Sequence, residues 1–160
     1  MLVGCQSYQL KHVKSNPIEC PSIIFAKDHK NYIGTTADNI TIDNITFRAE
    51  INNAIFSNGC KTQNQIFKSE LSLLFIVQPN EKDDQNFTLP YYIAVLDKDR
   101  EVLEIQYYKI NISLKKVLDD NLTVETEVKT KINIESELIN QSSTIVLGFA
   151  LDKKRDEILN

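Results

Sequence analysis

Few side chains in this 160-residue chain could do chemistry: three Cys, two His and 22 carboxylates. A Cys or Ser nucleophile needs an oriented base within hydrogen-bond reach. His12 lies in a polar N-terminal stretch and His29 in a Lys-Asp-His-Lys-Asn run that reads as a loop, so both read as solvated histidines. Asp97-Lys98-Asp99-Arg100-Glu101 sets three carboxylates at alternate positions. It lacks the later Gly and the distal bidentate Glu of a calcium loop, and Lys98 and Arg100 oppose a cation; the run reads as a polar hairpin. Asp83-Asp84 and Asp119-Asp120 read as solvated turns. Cys20 and Cys60 have no neighbouring Cys or His to complete a zinc knuckle. No Gly-rich loop offers a phosphate cradle, since Asn58-Gly59 and Leu147-Gly148 are isolated. The residues thus indicate no catalytic site, metal or cofactor, and the expectation is a protein that is not an enzyme. An enzyme working with carboxylates alone would need two of them converging in a pocket.

The cysteines point instead to an address. Leu2-Val3-Gly4-Cys5 resembles a bacterial lipobox, in which the Cys sulfur carries a diacylglycerol and becomes the new N-terminus. Residues 6–19 are polar and aperiodic, which suits a tether between a membrane anchor and a folded domain. With Cys5 acylated, Cys20 and Cys60 remain as a pair that an oxidising compartment would bridge if geometry allows. The bridge would close a loop of about 40 residues and contribute about 3–4 kcal/mol by chain entropy. Two unpaired core thiols are the other reading. No later segment approaches 18 consecutive apolar residues.

Composition excludes more than it selects. Charged residues are 25%, hydrophobic residues 42%, and there are four Gly and four Pro, so global disorder and collagen-like repeats are out. A net charge of −4 argues against a nucleic-acid binder. Lys115-Lys116 and Lys153-Lys154-Arg155 are short basic runs offset by acids and read as solvated faces. Asn-x-Ser/Thr triplets begin at Asn39, Asn44, Asn86, Asn111, Asn121 and Asn140. They are glycan acceptors if the protein is secreted by a eukaryote, or a by-product of alternating polar and β-branched strand positions.

The elements that must position these residues are strands. Period-2 segments rich in β-branched and aromatic residues fall at about 21–27, 44–56, 65–78, 88–97, 101–114, 121–135 and 143–151. In the second, Ile45, Phe47, Ala49 and Ile51 share a face, and Asn52-Asn53 then shifts the phase to Ala54 and Phe56, which predicts a bulge. In the third, Phe67, Leu71, Leu73, Phe75 and Val77 point inward. In the sixth, the alternation runs from Leu122 through Val128 to Ile134. Seven such strands predict an all-β, antiparallel sandwich of the immunoglobulin or fibronectin III kind. A short C-terminal helix follows, with Asp152 as N-cap. Residues 20–160 form one domain behind the 1–19 lipobox remnant and tether.

A two-residue turn at Asp99-Arg100 would pair residues whose numbers sum to 199, setting Tyr92 opposite Tyr107 and Tyr91 opposite Tyr108. One face then carries Tyr92, Ala94, Leu96, Leu103, Ile105 and Tyr107 and is the expected core face. The other carries Tyr91, Ile93, Val95, Val102, Glu104, Gln106 and Tyr108. On that second face, Tyr91, Ile93, Val95 and Tyr108 form a candidate partner patch. A one-residue slip of register would exchange the two faces.

Four segments together resemble a group of small alphaproteobacterial envelope lipoproteins of unassigned function. They are Cys20-Pro21 before an apolar strand, Phe47-Arg-Ala-Glu-Ile51 with the later Cys60, Leu89-Pro-Tyr-Tyr-Ile-Ala-Val95, and Leu147-Gly-Phe-Ala-Leu151 leading into the terminal helix. The resemblance covers about 20–160. It implies a lipidated N-terminus, a cysteine pair and a β-rich domain, and no catalytic residues. Gln6 after Cys5, in place of Asp, implies outer-membrane sorting by the enteric rule. The expectation is a membrane-anchored binding or scaffolding module, lipid-tethered and periplasm-facing, whose partners are envelope proteins. A secreted glycoprotein domain would account for the six triplets. A cytosolic interaction module with three reduced thiols would account for the lack of a signal-peptide body ahead of Cys5.

Overall fold

The computed structural model describes residues 15–80, 85–114, 123–135, 139 and 142–160. Among these, nine strands form two sheets and one helix ends the chain. They are β1 (Asn16–Ile18), β2 (Ser22–Phe25), β3 (Asn31–Gly34), β4 (Phe47–Gln63), β5 (Ile66–Pro79), β6 (Gln85–Leu96), β7 (Val102–Leu114), β8 (Val124–Glu135), β9 (Thr144–Phe149) and α1 (Lys153–Leu159). The seven expected strands correspond to β2 and β4–β9. β1 and β3 are additions, too short to show alternation. Pro17 in β1 is tolerated because β1 is an edge strand.

Sheet A has the order β1-β4-β5-β8, with β3 beside the first part of β4. Sheet B has the order β2-β9-β6-β7. The expectation of a wholly antiparallel sandwich needs one correction: β2 runs parallel to β9, with Ile24 opposite Val146. Alternation reports which way side chains point, not which way the partner strand runs, so this was invisible in the sequence. Parallel neighbours need a long crossover, and here everything between β2 and β9 supplies it. The second and third expected strands are hydrogen-bonded neighbours, β4 and β5.

The β4–β5 pair is a long hairpin closed by Asn64-Gln65, with φ of 53° and 62°. Two consecutive positive φ values make the turn that matches strand twist. The bulge expected at Asn52-Asn53 is present, as the register shifts between Ile51/Phe75 and Asn53/Leu74. A second shift lies between Phe56 and Cys60. There Gly59 takes a φ of 67°, a left-handed conformation that a Cβ would strain. β4 continues past this irregularity to Gln63, well beyond its expected end at residue 56.

The sheets pack face to face. Phe67, Leu71, Leu73, Phe75 and Val77 are fully buried, as their alternation predicts. Phe75 packs against Tyr91 and Phe149 of sheet B at ring-centroid distances of 5.4 Å and 5.9 Å. Each such side chain contributes about 1.5–3 kcal/mol by leaving water. Cys20 and Cys60 are joined in a disulfide with their Cα atoms 5.2 Å apart. The bridge ties the link between β1 and β2, which passes from one sheet to the other, onto the centre of sheet A.

Helix α1 closes the end of the sandwich near β3. Asp152 is its N-cap, accepting from the Arg155 backbone N–H at 2.9 Å. Arg155 departs from the expected solvated basic run. Its Nε donates to the Ile33 carbonyl at 2.9 Å, its guanidinium pairs with Asp152, and it lies 5.0 Å from the Tyr32 ring centroid. Ile158 and Leu159 pack on a second small core of Ile33, Ile40 and Ile45.

Candidate functional site

The β6–β7 hairpin governs what sheet B shows to each side. Tyr92 pairs with Tyr107 and Tyr91 with Tyr108, the register expected. The turn differs. Asp97 N–H donates to the Glu101 carbonyl at 3.0 Å, Arg100 N–H donates to the Asp97 carbonyl at 3.1 Å, and Arg100 has a φ of 66°. This is a three-residue loop with a left-handed final residue. A one-residue slip between Val95 and Leu96 restores the register beyond it. The Asp97 carboxylate accepts from the backbone N–H groups of Asp99 and Glu101 at 2.8 Å and 2.9 Å, so it builds the turn. Among the described residues no three His, Cys, Asp or Glu side chains come together as a metal site.

The two faces of this hairpin are the reverse of the expectation. Tyr91, Ile93 and Val95, expected as a partner patch, have relative exposures of 2%, 0% and 0%. They are core residues, paired through β9 with Phe149, Leu147 and Ile145. Tyr108 is half-buried on the same inward side, stacked on Tyr91 at 5.3 Å. The misleading signal was Glu104 and Gln106, which share that face. β7 is the edge of sheet B, so its inward positions reach the open side of the sandwich beside β8. There Gln106 Nε2 donates to Glu104 Oε1 at 2.6 Å and to the Asn133 carbonyl of β8 at 3.1 Å, and Tyr108 O–H donates to Gln106 Oε1 at 2.6 Å. An inward-pointing charge at a sheet edge also blunts strand addition. Further in, the Tyr91 and Thr130 hydroxyls share a 2.6 Å hydrogen bond. Burial pushes the phenols of Tyr91 and Tyr108 above the ordinary tyrosine range, the Thr130 bond lowering the first and the charges of Tyr91 and Glu104 raising the second.

The face expected as core is the outer face of sheet B, and it is apolar. One cross-strand row runs Ile24–Val146–Ala94–Ile105 through all four strands. A second runs Ser22–Thr144–Leu96–Val102, and a third includes Gly148, Tyr92 and Tyr107. Tyr107 is 70% exposed, Val102 56%, Ile24 47% and Ile105 41%. Ala94, the smallest side chain of the first row apart from its neighbours' larger ones, is buried between them and makes a shallow centre. No charged residue lies in these three rows. Four strands about 4.8 Å apart and five residues of about 3.3 Å outline roughly 300 Å² of sheet, over which these exposed side chains form one contiguous patch.

One end of this face is walled by His29, which the sequence placed in open solvent. The Tyr92 hydroxyl and His29 Nδ1 are hydrogen-bonded at 3.2 Å, with the rings edge to face at 5.8 Å. Gly148 makes this possible, because a Cβ there would come within 2.6 Å of the Tyr92 hydroxyl and 2.8 Å of His29 Cβ. Burial, and then the neighbouring Tyr107, raise the Tyr92 phenol above the ordinary range.

The described Asn-x-Ser/Thr triplets have local structural roles. Asn86 lies opposite Ser113 and Thr88 opposite Asn111, so two triplets face each other across β6 and β7. The Thr88 hydroxyl donates to Asn111 Oδ1 at 2.7 Å, and the Ser113 hydroxyl donates to Asn86 Oδ1. Asn44 accepts from Thr41 N–H at 2.8 Å and donates to the Asn39 carbonyl at 2.7 Å, capping a short 3-10 turn at 42–44. Cys5, His12, Asp83-Asp84, Lys115-Lys116, Asp119-Asp120, Asn121 and Asn140 lie outside the described residues.

No protein-family model matches the chain, and neither a curated protein nor a solved structure matches it.

Proposed function

We propose that this chain is a non-catalytic binding module that docks a protein partner on the outer face of sheet B. The observation that carries the reading is the uncharged row Ile24–Val146–Ala94–Ile105, flanked by Tyr107 and Val102. Flat, rigid sheet faces with protruding aromatics bury large area at low entropic cost, and Tyr is enriched at such interfaces. The setting we propose is the bacterial envelope: a lipid on Cys5, an outer-membrane tether over residues 6–19, and envelope proteins as partners. The Cys20–Cys60 disulfide supports an oxidising compartment. The finer topology we propose is immunoglobulin-like with the first strand taken as β4. β4-β5-β8 then stand as A-B-E and β7-β6-β9 as C′-C-F, with β2 in the place of strand G.

Photo-crosslinking in the native host tests the partner face. A crosslinker at Tyr107 should give a discrete adduct, absent with the crosslinker at Glu127 on the opposite sheet and absent when Ile105→Asp accompanies it. Equal adducts from both faces would refute the assignment. The intact mass of the native protein tests the anchor: a diacylglycerol-sized addition at Cys5 is expected, and an unmodified Cys5 would remove it.

A further inference from the structure

The outer face of sheet A carries a cluster of lysines beside the point where the N-terminal segment joins the domain. Lys61 lies directly opposite Lys68, Lys68 opposite Asn133, and Glu70 opposite Lys131. Lys61, Lys68 and Lys131 line one shallow depression of about 210 Å³ together with Asn58, Ser69 and Glu70. Its one acid, Glu70, accepts through Oε1 from the Ser57 hydroxyl at 2.9 Å and from Asn58 Nδ2 at 3.2 Å. Lys68 donates to Gln63 Oε1 at 2.9 Å, which leaves its charge uncompensated. Among the described residues Lys61 and Lys131 have no ion-pair partner. Beyond the depression, Lys129 on the same face is balanced by Glu127, which accepts from Ser72, and Glu135 lies at the end of β8. In a chain of net charge −4, this depression sets three lysines against one carboxylate.

Its position matters as much as its charge. β1 pairs with this end of β4, Pro17 lying opposite Lys61 and Ile18 opposite Cys60. The N-terminal segment therefore leaves the domain one strand spacing from the cluster. Residues 1–18 contain Lys11 and Lys14 and no carboxylate side chain. From Cys5 to Ser15 the chain can span at most about 35 Å, so an anchor at Cys5 would hold this end against the bilayer.

We infer that Lys61, Lys68 and Lys131 form a docking surface for an anionic phospholipid membrane, and that it orients the domain. The cluster lies on the face opposite the apolar rows of sheet B, so membrane contact through sheet A presents Ile105 and Tyr107 away from the bilayer. The orientation rests on the proposed membrane anchoring, while the lipid-binding surface stands on its own geometry. Each lysine near an anionic surface is worth about 5-fold in partitioning, and three together roughly 100-fold.

The test is co-sedimentation of the full, unacylated chain with vesicles of phosphatidylcholine containing 30% phosphatidylglycerol (about 30 mol%, as the probe of negative surface charge). Binding should exceed that to pure phosphatidylcholine and fall steeply with salt. Lys61→Gln/Lys68→Gln/Lys131→Gln should lower it by roughly 100-fold, with the melting temperature unchanged, and Ile105→Asp should leave it unaltered. Equal binding by wild type and the triple variant, or no preference for anionic vesicles, would overturn the inference. So would binding to an acidic peptide such as polyglutamate without binding to vesicles. The mass at Cys5 decides the anchor separately: vesicle binding with an unmodified Cys5 keeps the lysine surface and loses the tether, and the converse loses the surface alone.

Discussion

The outer faces of the two sheets are built from the same alternating pattern and end in opposite chemistry. On sheet A the outward side chains are largely polar or charged, and several of them satisfy one another. Ser72 donates to Glu127, Lys68 to Gln63, Ser57 and Asn58 to Glu70, and Lys30 pairs with Glu50 at 2.7 Å. Ile55 is its one large apolar side chain in open solvent. On sheet B three adjoining outward rows are uncharged, the charge returning only at Lys109 opposite Pro90, and Val102, Ile24 and Ile105 meet water with apolar surface alone while Tyr107 adds one hydroxyl. A polar face gains little from being covered by an apolar partner, since each hydrogen bond traded with water nets about 1 kcal/mol. An apolar face gains about 25 cal/mol for every Å² removed from water. The contrast teaches that the surface with the lower stake in solvent is the one to probe for a protein partner.

The sharpest way to break this comparison is to charge the two sides of β6 and β7 in turn. Ile93→Asp places a carboxylate in the fully buried face and should abolish cooperative folding, seen as loss of near-ultraviolet circular dichroism. If that variant folds normally, the assignment of inner and outer faces is wrong. Removing the disulfide by Cys20→Ser/Cys60→Ser should cost about 3–4 kcal/mol for a loop of this length, measured by denaturant unfolding. A cost near zero would mean that the interface between the sheets alone holds the β1–β2 link.

Arg155→Ala removes a charge-assisted hydrogen bond to the Ile33 carbonyl and the contact with Tyr32, and should cost about 2 kcal/mol. Titration probes the inner face again. The phenols of Tyr91 and Tyr108 are held above their ordinary range, chiefly by burial, so the native state keeps their protons where the unfolded chain loses them. Their contribution is fully present below about pH 10 and is lost as pH rises through the folded values. Stability should therefore fall in the alkaline range, and Tyr91→Phe should reduce that fall; an unchanged profile would mean Tyr91 does not contribute to it. The smallest effect belongs to Ile105→Asp, expected within about 0.5 kcal/mol of wild type because the site faces solvent. A large loss there would show that the outer rows are already covered within the domain.

Much of the fold could be read from the residues. The alternation of Phe67, Leu71, Leu73, Phe75 and Val77 identified the inner face of β5, and Asn52-Asn53 announced its bulge. The Asp152 cap of α1 and the 199 register of the β6–β7 hairpin were also legible. These are local properties: a pleat reverses side chains every residue, a cap needs one carboxylate at one position, and a hairpin's register follows from its own two strands.

The candidate site was legible only in part, because its residues were named but turned the wrong way. Tyr91-Ile93-Val95 and Tyr92-Ala94-Leu96 are both apolar, so the hairpin alone could not say which set faces the core. The decision came from β9, whose large residues Ile145, Leu147 and Phe149 lie opposite Val95, Ile93 and Tyr91, while its small Val146 and Gly148 lie opposite Ala94 and Tyr92. That pairing joins segments some 50 residues apart. The parallel run of β2 on β9, the approach of Lys131 to the Lys61–Lys68 pair, and the contact of His29 with Tyr92 are likewise long-range. The sequence by itself determined which segments are strands and how each is pleated, because those depend on neighbours along the chain. Only the tertiary structure decided which pleat faces inward and which charges share a surface, because those depend on strands brought together across the closed sandwich.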